Sequence, residues 1–175
     1  AAHEAVGGGL GDALRDPVTV GVVVGLVLGK TVGVFGGTML TVADVEAVHA
    51  AGGRLMVSPN CDTAVIRRAV ELGMLAAPGV ATPTEAFAAL QAGAHALKLF
   101  PAEMVGQGGL KALKSVLPSG TEFWPVGGIT PESMGPWKKA GATGFGIGSQ
   151  LFAPGNTAKQ VLQRGRAYVQ AWQQA

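Results

Sequence analysis

The sequence has a single cysteine, Cys61, so no disulfide can close within the chain. Charge is scarce: Asp, Glu, Lys and Arg make up 14% of the residues, where about 25% is ordinary. The 13 basic and 11 acidic side chains leave a net charge of +2, and the basic ones are scattered. No basic stripe exists, so nucleic acid is not an expected partner. The three histidines, His3, His49 and His95, share no ligand spacing, and no metal site is expected. Long apolar runs are missing too. The nearest thing, Val18–Leu28, is 11 residues long, against about 20 needed to span a bilayer. Its β-branched content reads as buried strand rather than membrane segment. The opening AAHEAVGGG lacks the basic start and apolar stretch of a signal peptide. These absences lead to the expectation of a soluble protein of the reducing cytoplasm.

What the chain has in excess is glycine, 28 of 175 residues, with no collagen period. Such glycines serve tight turns and close backbone approach. At 48% hydrophobic the chain can bury a core, and its length fits one domain, residues 1–175. From residue 38 onward a rhythm repeats: a short apolar run, a Gly or Pro, a capping residue, then a helical pattern. Thr41 to Asp44 opens a helix ending near Gly52. Leu55–Pro59 reads as a strand, and Asp62 caps a helix over Thr63–Leu72 stopped by Gly73. Met74–Pro78 is the next strand. Thr82-Pro83-Thr84-Glu85 is a capping box with Pro at the first helical position. Ala96–Phe100 is a strand, Leu110–Val116 a short helix, Phe123–Val126 a strand. Thr130 caps a further helix, Gly144–Ile147 is a strand, and Thr157–Gln173 an amphipathic terminal helix. Strand ends near Pro59, Pro78, Pro101, Gly128 and Gly148 lie 19, 23, 27 and 20 residues apart. Units of that length mean βαβ crossovers and a parallel sheet, either a barrel or a doubly wound sheet. The first 38 residues break the rhythm with ten glycines and five charges; Asp12–Arg15 reads as a short helix, Val18–Leu28 and Thr31–Phe35 as strands. That totals six or seven strands, short of a closed eight, in a chain short for a (β/α)₈ barrel.

In parallel barrels the working residues stand at the C-terminal ends of the strands. Those ends carry Thr38, Pro59, Pro78, Lys98, Gly127-Gly128 and Gly148-Ser149. Lys98 is the one charge in Gly93–Ala102 and alternates with Leu97 and Leu99. An unpaired buried ammonium is expensive. Two readings stand side by side: a lysine snorkelling or paired with Glu103, or an amine nucleophile whose pKa an apolar setting lowers. Gly127-Gly128 and Gly146-Ile-Gly-Ser149 end adjacent strands, where glycine lets backbone N–H groups meet an anion. They are either ordinary strand-to-helix turns or a phosphate cradle.

The texts VSPN (57–60), the Pro-Gly turn at 78–79, LKLFPAE (97–103), VGGIT (126–130) and GIGSQL (146–151) occur in order and at consistent spacing. Together they resemble the 2-keto-3-deoxy-6-phosphogluconate and -galactonate aldolases, over about residues 36–173, with SPNCDTAVIRRAVELGM and ATPTEAFAALQAGAHALKLFPAE most similar to the galactonate branch. The resemblance implies a (β/α)₈ class I aldolase, usually a homotrimer, without metal or cofactor. It implies Lys98 as the Schiff-base lysine, and Thr38, Pro59 and Val126 at the substrate. Gly127, Gly128, Gly148 and Ser149 would hold the phosphate. Substrates would be a phosphorylated 2-keto-3-deoxy sugar acid and pyruvate. The residue before the Gly-Gly pair is typically Thr in the gluconate branch; Val126 leans the reading to 2-dehydro-3-deoxy-6-phosphogalactonate, cleaved to pyruvate and glyceraldehyde 3-phosphate. A gluconate or dual-specificity aldolase, another phosphate-binding barrel enzyme, and a non-catalytic phosphosugar-binding barrel are the alternatives.

One part departs from the family. Its first two strands carry an arginine and then the general acid/base glutamate, and neither motif stands before Phe35. Glu4 and Arg15 are the residues of the right type there, and neither lies in strand-like text. Because residues 38–173 show no decay, the expectation is that the atypical segment 1–35 is truncated or misassigned. Glu103, five residues after Lys98, is either a proton relay or orienting group, or a solvated loop acid. Cys61 reads as a plain free thiol, His49 as a surface residue and His95 as lying at the non-catalytic end. Trp124, Trp137, Tyr168 and Trp172 read as packing or trimer contacts.

Overall fold

The computed structural model describes residues 39–175. The segments Asp12–Arg15, Val18–Leu28 and Thr31–Phe35 lie outside the described residues, as does Thr38. Eleven elements follow in chain order among the described residues: α1 (Val42–Ala50), β1 (Leu55–Val57), α2 (Thr63–Glu71), β2 (Leu75–Ala77), β3 (Gly79–Val80), α3 (Pro83–Gln91), β4 (Leu97–Leu99), α4 (Ala102–Val116), β5 (Phe123–Pro125), α5 (Pro131–Ala140) and α6 (Ala158–Gln174). Every strand pairing is parallel. β1 pairs with β2, and β3-β4-β5 form a second sheet. Parallel neighbours need crossovers, and α2, α3 and α4 supply them. The α/β reading from the strand spacing therefore holds.

Helix starts follow the sequence closely. Thr41, Thr82, Thr130 and Thr157 each cap a helix in a full capping box, and the Asp62 carboxylate accepts from the N–H groups of Ala64 and Val65. Each cap satisfies amide groups that the first helical turn leaves without partners. The strands expected at Leu55–Pro59, Ala96–Phe100 and Phe123–Val126 are present as β1, β4 and β5. The strand expected over Met74–Pro78 is β2, and an unexpected second strand, β3, follows in the other sheet after Pro78, which has no N–H to give a ladder. Gly144–Ile147 is not a strand; a single bridge joins Gly146 to Val126. The helix expected at Leu110 begins at Ala102, with one turn broken at Gly106 (φ 69°, ψ 171°) before the longer run. Glu103 thus sits in the first turn of a helix and not in a loop.

The core lies between the strands and the helix layer. Leu97, Leu99, Phe123, Met56 and Ile66 are fully buried, with Trp137 and Met134 on α5 packed behind them. α6 is held over α5: the Lys138 ammonium donates to the Trp172 carbonyl at 3.2 Å and sits 4.5 Å from the Trp172 ring centre. Trp172 in turn meets Phe145 edge-on at 5.7 Å. No helix among the described residues is long and apolar enough to cross a membrane.

Candidate active site

Lys98 occupies the middle of β4, in register with Gly79 of β3 and Trp124 of β5. In a pleated strand successive side chains point to opposite faces, and registered neighbours share a face. Leu97, Leu99, Phe123 and Pro125 take the face buried under the helices. Lys98, Phe100, Trp124 and Val126 therefore share the other face. Glycines clear that face: a Cβ at Gly144 would lie 2.9 Å from the Trp124 ring, and one at Gly146 would meet the Val126 side chain. A Cβ at Gly79 would collide with the Pro59 carbonyl, so that glycine lets the Pro59 backbone cross the strand.

The Lys98 side chain is 8% exposed. Its Nζ stands 4.3 Å from the centre of the Phe100 ring. The ammonium is attracted to the ring face. Among the described residues no carboxylate comes within ion-pairing distance of it, so the pairing with Glu103 considered from sequence is not made. Burial pushes the Lys98 pKa below its ordinary value, because the charged form loses hydration that nothing replaces in full. An amine in this state is closer to its neutral, nucleophilic form at physiological pH. Phe100 and Trp124 had no functional part in the sequence reading of this face. The signal for Phe100 was the period-2 alternation of Leu97-Lys98-Leu99-Phe100; Trp124 needed the strand register.

The Gly127-Gly128 turn follows β5 directly. Both residues take positive φ, 114° and 60°, which only glycine adopts freely. A Cβ on either would lie 2.5 Å or 2.8 Å from a carboxylate oxygen of Glu103. Glu103 therefore rests against this turn, and no hydrogen bond joins it to Lys98. Val126 anchors the approach, its N–H donating to the Leu99 carbonyl and its carbonyl accepting from Ala102. Gly148 and Ser149 are exposed just after the Gly146 bridge, and the space beside Gly148 is open. The Gly148 carbonyl accepts from the N–H groups of Leu151 and Phe152. Ser149 also lines a cleft of about 540 Å³ with Thr130, Pro131, Arg164 and Tyr168. Pro59 is half-buried at the end of β1, and buried Ser58 donates to the Asn60 carbonyl at 2.7 Å there. The Cys61 thiol donates to the Glu85 carbonyl, and burial, aided by the charges of Glu85 and Asp62, raises its pKa; it stays protonated. His95 accepts from the Ala76 N–H at the start of β4, away from the strand end that bears Phe100. Among the described residues no three His, Cys, Asp or Glu side chains converge on a metal-sized space.

Parallel strands linked by helices, with a buried lysine on the face opposite the helix layer and a glycine turn after β5, define the class: a TIM-like α/β fold. Residues 24–165 match the family described as "Aldolase: KDPG and KHG aldolase". The chain belongs to that family of class I aldolases. It is 47% identical over 139 residues to the 2-dehydro-3-deoxy-6-phosphogalactonate aldolase of Escherichia coli K12, which covers 79% of this chain and 68% of that one. A structure named "Native KDPGal structure" superposes with a TM-score of 0.78 at 43% identity, covering 84% of this chain and 75% of its own. A KDPG aldolase from Legionella pneumophila, "with pyruvate captured at low pH as a covalent carbinolamine intermediate", superposes at 0.61 with 25% identity, covering 91% and 76%. This chain thus spans about two thirds to three quarters of the length of these relatives.

Proposed function

We propose that the protein cleaves 2-dehydro-3-deoxy-6-phosphogalactonate to pyruvate and glyceraldehyde 3-phosphate through an imine on Lys98. The observation that carries the reading is the buried Lys98 amine, which meets no carboxylate among the described residues and has a lowered pKa. Neutral Nζ adds to the C2 ketone to give a carbinolamine, which loses water as a protonated imine. The imine draws in the electron pair of the C3–C4 bond as a base takes the C4 hydroxyl proton. Glyceraldehyde 3-phosphate leaves; the enamine is protonated at C3 and hydrolysed, returning pyruvate and the free amine. Burial of Nζ favours the neutral amine before attack, and the Phe100 ring face stabilises the iminium that follows.

The Gly127-Gly128 turn, with Gly148 and Ser149, would take the phosphate on backbone N–H groups. Pro59 and Val126 would flank the carbon chain, as would Thr38, which lies outside the described residues. Val126 offers no hydroxyl to the C4 substituent, which favours the galactonate epimer over the gluconate one. The full eight-stranded closure and a homotrimer are implied by the family resemblance; light scattering at about three times 17.6 kDa would support the trimer, and a monomer would overturn it.

Borohydride reduction in the presence of pyruvate tests the chemistry. One reduced-pyruvate adduct, mapped to Lys98, is the expected result. Absence of an adduct, or an adduct elsewhere, overturns the imine reading and leaves a phosphosugar-binding barrel.

A further inference from the structure

Tyr168 lies on α6, 39 residues from Ile129, yet its hydroxyl donates a 2.8 Å hydrogen bond to the Ile129 carbonyl. The side chain is 3% exposed. Ile129 directly follows Gly127-Gly128 and precedes Thr130, whose hydroxyl caps α5. Among the described residues no backbone N–H outside the regular elements donates to that carbonyl. The turn has no side chain of its own at residues 127 and 128, and both glycines hold positive φ with the Glu103 carboxylate resting against them. Tyr168 also lines the cleft of about 540 Å³ with Thr130, Ser149 and Arg164. The Tyr168 hydroxyl ties the residue after this glycine pair to the terminal helix.

We propose that Tyr168 is a positioning residue for the phosphate end of the substrate. By holding the Ile129 carbonyl it sets the direction in which Gly127 and Gly128 present their N–H groups. The proposal rests on the phosphate reading of that turn, and is independent of the Lys98 chemistry.

Tyr168→Phe removes the hydroxyl and keeps the ring. The KM for the phosphorylated sugar acid should rise about three- to tenfold, the range one neutral hydrogen bond supplies. Both kcat and the rate of pyruvate–borohydride labelling should stay within about twofold. Calorimetry with glycerol 3-phosphate, which forms no imine, should show the same loss of affinity. Lys138→Met is the control: it cuts another tie of α6, to Trp172, without touching the turn. It should lower the melting temperature and leave the KM alone. Unchanged glycerol 3-phosphate affinity in Tyr168→Phe overturns the proposal, as does equal loss in Lys138→Met, or failure of the wild-type protein to bind that ligand. Absence of labelling in the wild type, with glycerol 3-phosphate still discriminating the two proteins, would instead overturn the lysine reading alone.

Discussion

Burial lowers the Lys98 pKa because the ammonium gives up water and gains one aromatic face in return. The same imbalance has a stability consequence. The folded pKa lies below the unfolded one, so between the two the unfolded chain binds more protons, and stability rises with pH through that window. Lys98→Met should therefore melt at a higher temperature than the wild type at pH 7, by a margin that shrinks towards pH 10. It should also lose all pyruvate labelling. A margin that is absent, or constant with pH, would contradict the lowered pKa; retained turnover would sink the Schiff-base assignment. Val126 makes a second residue-scale case. Its side chain lies over Gly146, and Thr is nearly the same shape. Val126→Thr should raise the gluconate-to-galactonate activity ratio about three- to tenfold, one hydrogen bond's worth. An unchanged ratio removes the specificity argument. Lys98 was legible in sequence because one charge interrupts an apolar strand. Its neighbour across the sheet, Trp124, was not, because register is set by tertiary pairing.

Most helix starts and four strands were legible, whereas the strand expected at Gly144–Ile147 was not, for one physical reason. A helix start is a local event, written in four consecutive residues, as at Thr82-Pro83-Thr84-Glu85. There the Thr82 hydroxyl accepts from the Glu85 N–H at 3.3 Å, and the Glu85 carboxylate accepts from the N–H groups of Ala81 and Thr82 at 2.9 Å. A strand exists only where a partner pairs with it, and Gly144–Ile147, apolar enough in text, finds one bridge. The cap yields a measurable prediction. Thr82→Ala should lower stability by about 1 kcal/mol in urea titration. Glu85 adds a pH signature: its backbone hydrogen bonds, that of Ala81 foremost, hold its pKa below the usual carboxylate range. Stability from it is complete above the unfolded pKa and fades as pH falls through the folded one. Glu85→Gln should be destabilised at pH 7 and approach the wild type in acid. A gap that does not narrow would place the effect elsewhere than in the charge.

Across the whole molecule, the chemistry depends on which part opens last. A lysine keeps its low pKa only while its strand stays shut, since each opening rehydrates the amine. β4 is paired on both sides: Leu97 N–H donates to the Glu122 carbonyl at 2.9 Å, Lys98 to Pro78 at 2.9 Å and Phe100 to Val80 at 3.1 Å. Leu97 and Leu99 on its helix-facing side are fully buried. α1 is the opposite case. Only Val45 of its nine residues is buried, and its ends rest on a cap and on exposed backbone. Opening free energies follow such differences in burial and pairing. Native-state hydrogen exchange should therefore find the amides of Leu97, Lys98 and Phe100 among the slowest, close to the global unfolding limit, and those of α1 exchanging by local opening with weak denaturant dependence. Exchange at Lys98 as fast as that in α1 would mean that the site strand opens on its own. The amine would then be solvated too often to hold a lowered pKa, and the imine reading would lose its physical basis.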